Sequence, residues 1–132
     1  MPGAFSNYME AKIVDAFLRN TPYTPAATVY LALFESDPGE DTGGTETAFT
    51  NYARQAVAWT ALDGAGQTKN SALVTFPANG NASASATITH IGIYDAATTG
   101  NRLLYAALTA PKTLAPGDVL AFAANACVFT LD

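Results

Sequence analysis

His90 is the single histidine of the chain, and Asp95 follows it within the segment THIGIYD. An imidazole beside a carboxylate is a common start for a proton relay, because imidazole titrates near neutral pH and the carboxylate fixes its tautomer. In an extended strand, however, successive side chains alternate between faces, and positions 90 and 95 differ in parity. On an unbroken strand the two leave opposite sides of the sheet and do not meet. The candidate nucleophiles are no better placed. Ser71, Ser83 and Ser85 lie in no nucleophile-elbow pattern. Cys127 runs directly into VFTL with no adjacent base, which describes a small buried hydrophobe rather than a reactive thiol. The reading is a non-enzyme with no catalytic residues.

Ligand chemistry is equally sparse. GAGQTKN, from Gly64, lacks the glycine spacing, the Gly-Lys-Ser/Thr ending and the following helix of a phosphate loop, and predicts a tight hairpin turn. One cysteine and one histidine make neither a disulfide nor a Cys/His metal cluster. Glu35, Asp37, Glu40, Asp41 and Glu46 gather in a glycine-containing stretch, where oxygen ligands can wrap calcium. Their spacing is not that of an EF-hand, and carboxylates on a long mobile loop are ordinarily solvated. Catalytic carboxylate pairs need rigid supports across a cleft. No metal and no cofactor are expected. Asn81-Ala82-Ser83 matches a glycosylation sequon, but no signal segment precedes it to give the match meaning.

The charge distribution narrows the partners. Of eleven acidic residues five lie between Glu35 and Glu46, where there is no base, and the other acids balance the six bases, so the net charge of −5 resides in one loop. Lys12, Arg19, Arg54, Lys69, Arg102 and Lys112 are scattered singly and form no track for a phosphate backbone, which excludes nucleic acid as an expected partner. No stretch has the apolar length of a membrane span and no secretory signal is recognisable, so neither membrane insertion nor secretion by that route is expected. With 132 residues, 49% hydrophobic, the chain is the size of one domain, residues 1–132. Only 13% of residues are charged, about half the usual share of roughly 25%, which predicts a surface covered by neighbouring subunits.

The elements that carry these residues follow from periodicity. A helical arm is predicted over 1–20, with Phe5 to Arg19 helical. Ser6 supplies its cap, Met9, Ile13 and Phe17 its apolar stripe, and Asp15 with Arg19 an i,i+4 pair. Pro22 and Pro25 end it. From 28 to 132 the pattern is strand-like. TVYLALF sends Val29, Leu31 and Leu33 to one face and Tyr30, Ala32 and Phe34 to the other, so both faces need cover, one from a core and one from the helix or another subunit. An acidic loop over 35–50 follows. Then come RQAVAWTAL, NSALVTF, ATITHIGIY, RLLYAAL and VLAFAANACVFTL, separated by turn-forming segments, with Pro116-Gly117 placed for a type II turn. The expected fold is mainly β: an antiparallel β-sandwich, jelly-roll-like, preceded by one N-terminal α-helix.

Three stretches, the helix-to-strand junction ending in YTPAATVYLALF, the step YARQAV, and the hairpin GIYDAATTGNRLLYAALTAPKTL closed by APGD, resemble a small family of structural proteins of tailed bacteriophages and prophages commonly labelled phage tail fibre proteins. The resemblance covers nearly the whole chain and implies a virion protein, made in the bacterial host cytoplasm, with no catalytic residues to carry over. A chain with no collagen-like, coiled-coil or β-helical repeat is not itself a long fibre shaft. Low charge, apolar faces and a stiff sandwich favour a capsid cement or decoration protein bound to the major capsid protein. A tail fibre or tail-tip component in contact with tail proteins is the alternative, and a carbohydrate-binding β-sandwich module a second one. Phe5, Tyr8, Met9, Ile13 and Phe17, together with Tyr30 and Phe34, are the expected assembly interface of a homo-oligomer, a trimer by expectation.

Overall fold

The apolar alternation is realised as nine strands and one helix among residues 3–131, which the computed structural model describes. In chain order they are β1 (Gly3–Phe5), α1 (Asn7–Leu18), β2 (Val29–Phe34), β3 (Gln55–Val57), β4 (Gln67–Lys69), β5 (Val74–Thr75), β6 (Ala86–Tyr94), β7 (Arg102–Leu114), β8 (Ala121–Phe122) and β9 (Val128–Thr130). Five strands form one antiparallel sheet in the order β1-β7-β6-β2-β3, and the remaining four make two short ribbons, β4-β9 and β5-β8.

Register decides which side chains share a face. Leu31 pairs with Ile93 and Ile93 with Leu104, while Leu33 pairs with Ile91 and Ile91 with Ala106. These residues stack into one apolar face because directly opposed residues of antiparallel strands point the same way. The ribbons cover that face with Val74 and Phe129, and Phe76 and Cys127 beside them join the same buried cluster. The covering is close: a β-carbon on Gly3 would lie 2.4 Å from the Phe129 ring, so only glycine fits there. The result is a mainly β, sandwich-like unit with a single N-terminal helix, compatible with a jelly-roll-like arrangement.

Several boundaries differ from expectation, each for a local reason. The helix begins at Asn7, not Phe5, because Gly3–Phe5 pair with Leu104–Ala106 at the sheet edge. Ser6 is the switch: its Oγ accepts from the Met9 amide at 3.1 Å as the cap, and its own amide donates to the Leu103 carbonyl at 2.9 Å. RQAVAWTAL is extended only at Gln55–Val57, apart from an isolated bridge between Trp59 and Asn70. VLAFAANACVFTL is broken between β8 and β9 by a turn in which Asn125 adopts a φ of 66° and the Ala126 amide donates to the Ala123 carbonyl. Asn70, fully buried, holds that turn: its amide donates to the Ala72 and Ala123 carbonyls, and its Oδ1 accepts from the Cys127 amide at 2.8 Å. Asn79 plays the same part near the Pro116 turn, donating to the Leu114 carbonyl at 2.8 Å and accepting from the Asn81 amide at 2.9 Å. The type II turn itself is present, with Gly117 at a φ of 88° and the Asp118 amide bonded to the Ala115 carbonyl.

Candidate functional site

The second face of the sheet carries the polar chemistry. Tyr30 pairs with Tyr94 and Ala32 with Gly92 across β2-β6, and Arg102 pairs with Tyr94 across β6-β7. Gly92 makes the packing possible, since a β-carbon there would sit 3.0 Å from Phe34 Cε2, 3.3 Å from Tyr94 Cε2 and 3.4 Å from Arg102 Cδ. The rings of Phe34 and Tyr94 stack at 6.3 Å, and the Arg102 guanidinium lies 5.8 Å from the rings of both Phe34 and Tyr105.

Arg102 is only 7% exposed, and what covers it is the acidic loop. Its Nη2 donates to the carbonyls of Pro38 at 2.8 Å and Gly39 at 2.9 Å, and also to that of Asp41. Backbone bonds complete the anchoring: Asn7 donates to the Glu40 carbonyl, Glu35 to that of Thr45, and Thr47 to that of Leu33. The loop expected to be mobile is therefore fastened to the sheet and to the start of α1. Its carboxylates Glu40 and Asp41 remain exposed. Glu46 does not: it accepts from Arg54 Nε at 2.8 Å and Nη2 at 2.9 Å, a bidentate pair, and from the Tyr52 hydroxyl at 2.7 Å. Arg54 also donates to the Ala96 and Thr99 carbonyls and lies 3.7 Å over the Tyr94 ring, which ties the loop to the β6-β7 turn. Burial raises the Tyr52 hydroxyl well above its ordinary pKa, so it stays protonated as a donor.

Between these parts lies a depression of about 360 Å³, floored by Phe34, Tyr94 and Arg102 and rimmed by Tyr8, Asp41 and Asn101. Sequence reasoning passed over Arg54, Arg102, Tyr94 and Gly92. The available signal was a lone arginine opening each of two otherwise apolar strand segments, RQAV and RLLYAAL, in a chain whose acids crowd into one loop.

The other expected site residues are dispersed. His90 Nδ1 lies 2.8 Å from Thr89 Oγ1, and its Nε2 is 3.9 Å from Asp37. Asp95 instead accepts from the Asn101 amide at 2.7 Å and its side chain at 2.9 Å, so the two do not meet; the reason is not alternation along one strand, since β6 ends at Tyr94 and Asp95 belongs to the turn that follows. Cys127 is fully buried, and desolvation pushes its thiol up to about 11. Ser71, Ser83 and Ser85 are exposed. Among the described residues no group of three or more His, Cys, Asp or Glu is placed to hold a metal ion, and no helix is long and apolar enough to cross a membrane.

Of the expected interface residues, Phe5, Tyr8, Met9, Ile13 and Tyr30 are half-buried and Phe34 is 2% exposed beneath the acidic loop. Phe17 and Leu18 are 81% and 80% exposed, with Val14 beside them at 45%, and no residue of α1 is fully buried. The helix thus keeps apolar area that the sheet does not use.

In comparison with known proteins, the family described as "Podophage GP4 fiber I protein gp80" matches residues 4–130. Among curated proteins none matches.

Proposed function

From the premise that the chain belongs to the Podophage GP4 fiber I protein gp80 family, a family of bacteriophage structural proteins, we propose that it is a non-enzymatic building block of a virion fibre. The observation that supports this reading is the extent of the family match, residues 4–130, which takes in α1, both ribbons and all but the first residue of the sheet. Supporting it, both arginines of the second sheet face serve fastening: Arg102 holds the acidic loop, and the Arg54–Glu46 pair joins that loop to the β6-β7 turn. A subunit whose loops are fastened transmits load without local opening.

Self-association is part of the proposal. Phe17, Leu18 and Val14 offer an exposed apolar end of α1, the kind of surface that oligomeric proteins cover with copies of themselves. A trimer is the proposed state, in contact with other tail proteins. Its low charge content, 13%, supports a capsid cement protein as the second reading, since few charges suit a subunit covered by neighbours in a shell as well as in a fibre.

Immunogold labelling of intact virions with an antibody against this chain tests the location: label on appendages of the tail agrees, label distributed over the head overturns the fibre reading. Light scattering on Phe17→Asp and Leu18→Asp tests the helix. A smaller particle with unchanged circular dichroism agrees, and an unchanged mass contradicts the assembly role of α1.

A further inference from the structure

We infer that the far end of α1, with Phe17 and Leu18, seats in an apolar recess beside Trp59 on a second copy of this chain, a head-to-tail contact in which the giving and the receiving surfaces differ. The inference rests on the self-association proposed above and names the surface that receives the helix. The giving surface is held away from its own core. α1 runs for 12 residues, about 18 Å at 1.5 Å per residue. Of its apolar side chains only Tyr8 and Met9, in the first turn, pack against the core cluster. The chain then doubles back, so that Tyr23 lies beside Tyr8. Phe17 and Leu18 are left exposed at the far end, and the charges next to them, Asp15 and Arg19, neutralise each other at 2.8 Å.

The receiving surface has two adjoining parts that share Val29 and Trp59. One is a cavity of about 160 Å³ walled by apolar atoms of Trp59, Phe129, Ile93 and Leu104. That volume is close to the roughly 150 Å³ that takes a benzene ring, and water finds no polar partner there, so a phenyl ring is the matching guest. The other part is a groove of about 470 Å³ lined by Ala26, Ala56, Ala58 and Ala72, whose small side chains leave room for Leu18 and Val14. No charged residue lines either part, so an uncharged recess meets a tip whose charges cancel. The acidic loop, which Arg102 fastens to the other face of the sheet, stays out of the contact. A tip of three side chains is a small contact beside the roughly 1,200 Å² at the low end of stable interfaces. Head-to-tail contacts close into a ring in which each copy gives one tip and receives another, so every subunit is held twice.

The test is light scattering of the full chain at millimolar concentration, on two single variants and on their mixture. Phe17→Asp removes the tip, and Ala58→Arg, at an exposed position, fills the recess. Each alone is expected to weaken association at least about tenfold and to leave circular dichroism unchanged. Mixed in equal amounts they are expected to form a two-chain species, because one variant keeps an intact recess and the other an intact tip. Trp59 is the only tryptophan, and its emission is expected to move to shorter wavelength as the native protein assembles and to stay fixed in Phe17→Asp. Unchanged mass for Ala58→Arg, no two-chain species in the mixture, or Trp59 emission that ignores assembly overturns the inference and leaves the assembly role of α1 standing. A native chain that is itself monomeric, or an unchanged mass for Phe17→Asp, overturns both.

Discussion

Arg102 Nη2 donates to the Pro38 carbonyl at 2.8 Å across a sequence separation of 64 residues. The bond joins the start of β7 to a loop that follows β2, and Pro38 is buried with it. Around this contact Gly43 and Gly44 fold onto Pro38 so closely that a β-carbon on Gly44 would lie 2.5 Å from the Pro38 α-carbon. At Gly44 the backbone also takes a φ of 81°, which side-chain-bearing residues rarely adopt. The net negative charge of the protein is thereby displayed on a shaped surface and not on a flexible tether.

Arg102→Met is expected to retain the aliphatic stem but leave loop carbonyls without their donor, costing about 2–4 kcal/mol. Urea unfolding measures the cost. Hydrogen exchange is expected to quicken first at the amides of Asn7, Glu35 and Thr45, whose partners lie in or beside the loop. Uniform exchange through the sheet with a quiet loop would contradict the fastening role.

Asn70 and Asn79 are buried and bonded through both ends of their side chains. Replacing either by alanine strands backbone groups in the interior and is expected to cost about 1–3 kcal/mol each, read as a shift in the denaturant midpoint. Asn125→Gly is the matched control. Its φ of 66° suits glycine, so stability is expected to be unchanged or slightly improved.

Cys127 gives a pH dependence with a defined sign. Its thiol rises from the ordinary 9.0 to about 11 in the folded protein because burial disfavours the thiolate. The folded state binds this proton more tightly than the unfolded chain does. The associated stability is therefore complete below about pH 9 and lost as pH rises through about 11. The stability difference between the protein and Cys127→Ala is expected to be constant up to pH 9 and to narrow above it. Iodoacetamide at pH 8 is expected to label Cys127 only in denaturant, and labelling of the native protein at the same rate would show the thiol to be accessible.

Local signals were legible in the sequence wherever a residue acts on its neighbours. Ser6 as a cap, the Pro116-Gly117 turn, and the alternation of TVYLALF and ATITHIGIY all depend on a few consecutive positions. What escaped depends on distant partners. Three carbonyls of the acidic loop receive Arg102, and a carbonyl has no sequence signature. The alternating face of β2 showed that Phe34 needs cover, but the cover expected was the helix or another subunit, whereas the acidic loop lies against it. Asn70 opens a segment that reads as a strand and Asn125 is a single polar residue inside a long apolar run, so the break between β8 and β9 was hidden. Ribbons of two or three residues lie below the length at which alternation separates strand from loop.

Copy number tests the fibre account most directly, because symmetry sets it. Subunits of a tail appendage number a few to a few dozen per particle, and a shell-covering protein hundreds. Quantitative gel densitometry of purified virions, normalised to the major capsid protein, is predicted to give a ratio of only a few per cent. A ratio approaching one copy per capsid subunit, or one trimer per local threefold, would contradict the fibre and establish the protein as capsid cement.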